Sequence, residues 1–166
     1  MRRDFRQVID LLESSGDLVR IKREVDPKFE MSAIMKKLEA EDKAFIFENI
    51  KNAEMPAVGG LFTSMSRVGL IFNEDSGKDF TLDDAGQKVI AAIQNPTPTV
   101  EVDTGPVKDV VLKGAQIDLN KLPVPTFFEL DSGPFITAAV GIFRKPEGHL
   151  NVGFYRVLIV DEKHVL

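Results

Sequence analysis

The stretch "NPTPTVEVDTGPV", residues 95–107, divides the chain into two kinds of sequence. Pro96, Pro98, Gly105 and Pro106 fall within eleven residues. Proline removes a backbone donor and fixes φ, so neither a helix interior nor a central strand runs through such a segment. Before it, helical and strand periodicities alternate; after it, almost every segment reads as strand. We therefore place a boundary near residue 99, with an N-terminal αβ subdomain over 1–98 and a strand-rich part over 99–166. The fold class expected is α+β.

The first part has locally readable elements. In "DFRQVIDLLESSGDLVRI", Asp4 can cap a helix whose stripe is Phe5, Val8, Ile9 and Leu12, Gly16 ends it, and "DLVRIK" alternates like a strand. "DPKFEMSAIMKKLEAEDKAFIFENI" repeats the scheme, with Pro27 expected at a first helical position, a stripe of Met31, Ile34, Met35 and Leu38, and a strand in "KAFIFENI". "PAVGGLFTSMSRVGLIF" reads as strand, turn and short helix, and "NEDSGKDF" as a loop. In "TLDDAGQKVIAAIQNP", Thr81 and Asp84 have capping-box spacing and Asn95-Pro96 stops the helix.

After the boundary the strands expected are "TVEVDT", "DVVLKG", "GPFITAAVGIF" and "NVGFYRVLIV". "RKPEGHL" joins the last two, so residues 135–143 and 152–160 should form an antiparallel hairpin turning at Lys145 to Gly148. Both runs are nearly continuous in apolar residues, which predicts cover on both faces. Arg156 interrupts the second run. On a regular strand it shares a face with Phe154, Leu158 and Val160, and a buried guanidinium needs an anion. An internal Asp or Glu, an edge position in water, or a bound carboxylate or phosphate each meets that need.

Composition excludes several functions. The net charge of −5 argues against a nucleic-acid footprint. The absence of cysteine removes disulfides, thiolate metal sites and cysteine nucleophiles. The basic N-terminus carries acids and no long apolar run, so no signal peptide and no membrane span are expected, and the location expected is cytoplasmic. His149 and His164 sit in turn-like sequence and read as exposed. Glu129 and Asp131 read as a capped turn, and "GGLFTSMSR" as turn chemistry rather than a phosphate site.

Four stretches together carry a family likeness: "LLESSGDLVRIKREVDPKFEMSAI" with "FENI"; "GGLFTSMSR"; "GPVKDVVLKGAQIDLNKLPVPTFFELDSGPFITAAV"; and "NVGFYRVLIVDEKHV". In order and over nearly the whole chain, they resemble the N-terminal third of the UbiD-like decarboxylases, which use prenylated flavin mononucleotide. The resemblance implies that residues 99–166 begin a flavin-type split β-barrel. It implies reversible, non-oxidative decarboxylation of an aromatic or α,β-unsaturated carboxylic acid, with a flavin prenyltransferase supplying the cofactor. By the same likeness, Asn151 ligates a divalent metal, usually Mn²⁺, that bridges to the flavin phosphate. The Val152 carbonyl contributes to a K⁺ site, and Gly153, Phe154 and Tyr155 run along the cofactor. Arg156 holds the substrate carboxylate near the flavin ring as the catalytic residue of this segment. The family's other metal ligands and acid–base glutamates lie beyond residue 166, so this chain alone is expected to be inactive, as a truncated enzyme or as a subunit completed by a partner chain. Homo-oligomerisation is also expected. One departure is the "PVPTFFELDSGPF" segment, where many members have His or Trp after Pro-x-Pro and this chain has Phe127 and Phe128.

Asn151 and Arg156 are five residues apart and so point to opposite faces of a regular strand. Joint service to one cofactor predicts irregular pairing at 151–154, centred on Gly153, and Arg156 facing a polar cavity.

Overall fold

A computed structural model describes residues 4–72 and 79–166. The basic residues 1–3 and most of the expected "NEDSGKDF" loop lie outside the described residues. The element order is α1 (Phe5–Ser14), β1 (Leu18–Val25), α2 (Glu30–Ala40), β2 (Ala44–Ile50), β3 (Ala57–Gly59), α3 (Met65–Ile71), α4 (Leu82–Gln94), β4 (Phe135–Arg144) and β5 (Leu150–Leu158). One sheet has the order β1-β2-β3 and a second is the pair β4-β5, so the class is α+β.

The chain forms two compact units, each assembled from separated segments. The first contains the described residues of Met1–Val19, Leu38–Phe45 and Val58–Leu112. Its α1 starts at a reciprocal cap: Asp4 Oδ1 accepts from the Gln7 N–H at 2.8 Å, and Gln7 Oε1 accepts from the Asp4 N–H at 2.9 Å. Val8, Ile9 and Leu12 are the buried stripe, whereas Phe5, expected among them, is exposed. Val8, Leu12 and Ala44 form a small core against Leu18, Leu61, Leu70 and Ile71. The Thr81–Asp84 capping box opens α4 as expected. Yet α4 buries none of its residues, and Leu82, Val89, Ile90 and Ile93 are exposed.

The second unit contains Arg20–Lys37, Ile46–Ala57 and Lys113–Leu166. Here α2 begins at Glu30, not at Pro27. Phe29 has φ +71, which a helix interior does not tolerate, and Glu30 closes the start by accepting from the Asp26 N–H at 2.8 Å. Main-chain bonds tie residues 119–135 into the unit. The Phe29 N–H donates to the Thr126 carbonyl at 3.1 Å, Glu54 N–H to Lys121 at 3.1 Å, and Phe135 N–H to Pro125 at 3.0 Å. Met31, Phe47 and Val25 are fully buried.

The expected strands at "TVEVDT" and "DVVLKG" are not formed. Those residues are irregular around a 3-10 turn at Pro106–Lys108, and Val100, Val102, Val110 and Leu112 are exposed. A strand is defined by its partner's ladder, and among the described residues these segments have none. The hairpin does form, with β4 and β5 antiparallel and the Lys145 and Gly148 backbones closing the turn. Cover on both faces is not found: Val140, Ile142, Val152 and Phe154 are exposed, Phe154 at 91%.

Candidate functional site

The segment singled out by sequence is β5. Its pairing with β4 is regular from Arg144↔Leu150 through Phe143↔Asn151, Gly141↔Gly153 and Ala139↔Tyr155. The expected irregularity at 151–154 is therefore absent. The register breaks instead between Ile136 and Ala139, where Thr137 and Ala138 oppose the single residue Arg156. An extra residue on one strand is absorbed as a bulge, and here the bulged strand is β4. Gly153 is used differently. A Cβ there would meet the Tyr155 ring at 3.0 Å, and one on Gly141 would meet it at 2.8 Å, so the two glycines make room for that ring. Tyr155 in turn packs edge-on against Phe143, with centroids 5.7 Å apart and planes at 82°.

Regular alternation gives the hairpin two distinct faces. One carries Asn151, Gly153 and Tyr155; the other carries Val152, Phe154 and Arg156. Asn151 and Arg156 are both exposed. The Arg156 guanidinium lies over the Phe135 ring, 5.0 Å from its centroid, a cation–π distance. Arg156 is thus neither buried nor matched to a carboxylate among the described residues, and an aromatic face takes the place of the expected polar cavity. It presents a planar fork that suits a carboxylate or phosphate. Asn151 offers one hard carbonyl oxygen. Among the described residues no cluster of three His, Cys, Asp or Glu could hold a metal, so Asn151 and the Val152 carbonyl could supply only part of a coordination shell.

The remaining candidates fall as sequence reading expected. Asp131 Oδ2 accepts from the Phe128 N–H at 3.0 Å, a capped turn. His149 is exposed, and His164 is exposed with Nδ1 2.9 Å from the Asp161 carboxylate. Hydrogen bonds from the Lys163 backbone N–H, then from His164, hold Asp161 below the usual carboxylate range. In "GGLFTSMSR", Thr63 Oγ1 donates to the Gly60 carbonyl at 3.1 Å, as turn chemistry does.

Sequence reading missed Arg67, which is 1% exposed. Its Nη1 donates to Asp17 Oδ2 at 3.0 Å, and its Nη2 donates to Thr63 Oγ1 at 2.6 Å. Asp42 receives two further bonds, and Nε has no partner among the described residues. The available signal was one cation inside the apolar helix "MSRVGLI". Both Nη atoms are bound to protein groups, two of them carboxylate oxygens, and the cluster reads as an internal strut.

The fold is α+β, with a cation-bearing, largely exposed hairpin formed by β4 and β5. Comparison makes this specific. The N-terminal domain of 3-octaprenyl-4-hydroxybenzoate carboxy-lyase matches residues 9–83, and the Rift-related domain of the same carboxy-lyase matches 99–166. The chain belongs to the UbiD-like family. It is 31% identical to an uncharacterised protein in the cooM 5′ region of Rhodospirillum rubrum, over 98% of this chain and 35% of that protein. An evolved dimeric form of the UbiD-class enzyme HmfF from Pelotomaculum thermopropionicum, in complex with prFMN, matches with TM-score 0.82 and 33% identity, covering 95% of this chain and 36% of that one. The open form of Sedimentibacter hydroxybenzoicus vanillic acid decarboxylase matches with TM-score 0.86 and 26% identity, covering 99% and 37%. The chain spans about a third of the length of the relatives it matches. Among the described residues no helix is long and apolar enough to cross a membrane.

Proposed function

We propose that this chain is the N-terminal part of a UbiD-like enzyme that reversibly and non-oxidatively decarboxylates an aromatic or α,β-unsaturated carboxylic acid with prenylated FMN. The observation that carries the reading is the exposed strand "NVGFYR", which displays an arginine fork with no carboxylate partner among the described residues and an asparagine carboxamide on a chain of this family. In this reading the division near residue 99 separates a supporting αβ subdomain from the start of the cofactor-binding barrel.

Two of the described residues suit the groups that this reading brings together, a substrate carboxylate and a metal-bridged flavin phosphate. Arg156 would bind the substrate carboxylate and orient it by a two-bond fork. Asn151 would give one oxygen to a divalent ion such as Mn²⁺ beside the phosphate, and the Val152 carbonyl one to K⁺. Gly153, Phe154 and Tyr155 would lie along the cofactor. The prenylated flavin supplies an electron sink when bound; this chain supplies charge and position. Because Asn151 and Arg156 occupy opposite faces of a regular β5, a group touching both would pass along the edge of β5 that β4 leaves free. The test is co-expression with a flavin prenyltransferase, followed by absorbance and mass spectrometry of the purified protein. A protein with all its family sequence that never acquires the flavin would refute the assignment.

A second reading places the remainder of the family's barrel on a partner chain. The exposed apolar residues Val140, Ile142, Val152 and Phe154 favour it, because bare apolar strands need cover. Co-purification of the 166-residue chain with a second polypeptide would support it.

A further inference from the structure

We infer that Phe135 is a positioning residue for Arg156, brought to it by the β4 bulge; the inference rests on the role proposed for Arg156. The argument is one of parity. Between the turn and the bulge, odd-numbered residues of β4 oppose odd-numbered residues of β5: Phe143 faces Asn151, Gly141 faces Gly153, Ala139 faces Tyr155. Continued without interruption, that register would put Phe135 on the Tyr155 face, on the far side of the sheet from Arg156. The extra residue in Thr137–Ala138 shifts the register by one, and beyond it Phe135 opposes Leu158 and Ile136 opposes Val157. Phe135 thereby joins the face that carries Leu158, Arg156 and Phe154, diagonally adjacent to Arg156.

The consequence is visible in the contact: the guanidinium carbon lies 5.0 Å from the Phe135 ring centroid. The backbone that carries the ring is tied on both sides. The Phe135 N–H donates to the Pro125 carbonyl at 3.0 Å, and the Ile159 N–H to the Pro134 carbonyl at 3.0 Å. A flat aromatic floor restrains the plane of the guanidinium but occupies none of its N–H donors, so the fork stays available to an anion. A carboxylate partner would do the opposite, holding Arg156 and competing with the ligand.

The first experiment uses the labelled 166-residue chain and reads the NMR shifts of the Arg156 side chain. Over an aromatic face they lie upfield. Phe135→Leu should return them to ordinary positions, and Phe135→Tyr should keep them upfield. Unchanged Arg156 shifts in Phe135→Leu overturn the inference.

The second experiment uses the whole enzyme. Phe135→Leu should lower kcat about two- to fivefold, the loss of one exposed cation–π contact, with flavin content unchanged and Phe135→Tyr near wild type. A kcat for Phe135→Leu equal to wild type also overturns it. Arg156→Lys tests the underlying reading separately: full turnover in that variant removes the role of Arg156, while the ring shifts would still report the contact.

Discussion

Arg67 grips Asp42 twice: Nη1 donates to its main-chain carbonyl at 2.7 Å and Nη2 to Oδ1 at 2.6 Å. Asp42 has φ +51, in the left-handed region that a non-glycine residue seldom enters. The turn between α2 and β2 is therefore held by a cation from α3. Arg67 is buried, but Asp42 reaches solvent and Asp17 keeps Lys43 Nζ at 3.4 Å, so removing the guanidinium strands neither carboxylate. Arg67→Met should cost about 1–3 kcal/mol, the range for losing hydrogen bonds to charged groups. Urea unfolding followed by circular dichroism measures it. An unchanged midpoint would mean that the cluster contributes nothing.

Two glycines should respond in opposite senses to alanine. Gly60 has φ +72, and a Cβ there would lie 2.8 Å from the Lys43 carbonyl oxygen. The conformation alone costs about 1–2 kcal/mol, and the carbonyl adds a clash with backbone. Gly86 in α4 has nothing within 4 Å of such a Cβ. Gly86→Ala should stabilise by up to about 1 kcal/mol through helix propensity. The same urea titration compares both, and a Gly60→Ala protein as stable as wild type would contradict the geometry.

Acid should loosen the start of α4. Hydrogen bonds from the Thr81 hydroxyl and then the Thr81 N–H hold the Asp84 carboxyl below its ordinary range. A depressed folded-state value means that this stabilisation is present above the ordinary carboxylate range and is lost as pH falls through the depressed one. Protection of the first-turn amides of α4, measured against the intrinsic exchange rate at each pH, should fall with acid in wild type, and this dependence should be much reduced in Asp84→Asn. The Asp26–Lys51 bridge behaves alike at the acid end, Asp26 being lowered chiefly by Lys51. Lys51 is raised by Asp26, so its share is lost only as pH rises through that raised value.

The 166-residue chain by itself should release no CO₂ from cinnamic, sorbic or hydroxybenzoic acids, even with flavin supplied. It offers Asn151 and Arg156, and among the described residues no metal-binding cluster. In the whole enzyme, Arg156→Lys should keep flavin and lose most turnover, since a point charge does not reproduce a fork. Asn151→Ala should instead loosen metal and flavin. Metal analysis, absorbance and CO₂ assay separate the outcomes, and the reverse pattern would exchange the two roles.

The sequence was most legible where the determinant is local. The Asp4 cap, Thr81 with Asp84, and the Lys145–Gly148 turn all act within four residues, and each forms. Residues 99–104 and 109–114 have strand-like alternation, but a ladder partner cannot be read from alternation. The start of α2 moved from Pro27 to Glu30 because Phe29 bends left-handed beneath its bond to Thr126, about a hundred residues away in the chain. The bulge was placed at Gly153 because glycine tolerates irregularity, whereas Thr137–Ala138 carries no such mark. Apolar neighbours put Arg156 inside on the sequence reading; in this chain Phe154 and Tyr155 beside it are themselves exposed.

The Arg67 cluster also bears on the order of assembly. Its partners Asp17 and Asp42 lie 50 and 25 residues away in the chain. Three turns, α1–β1, α2–β2 and β3–α3, must be in place before one guanidinium can reach them all. Contacts of such sequence separation close late, after the loop entropy has been lost. On this ordering the cluster would close as a latch on the finished unit, after the folding barrier has been crossed. Removing Arg67 should leave the refolding rate nearly unchanged and shorten the lifetime of the folded state.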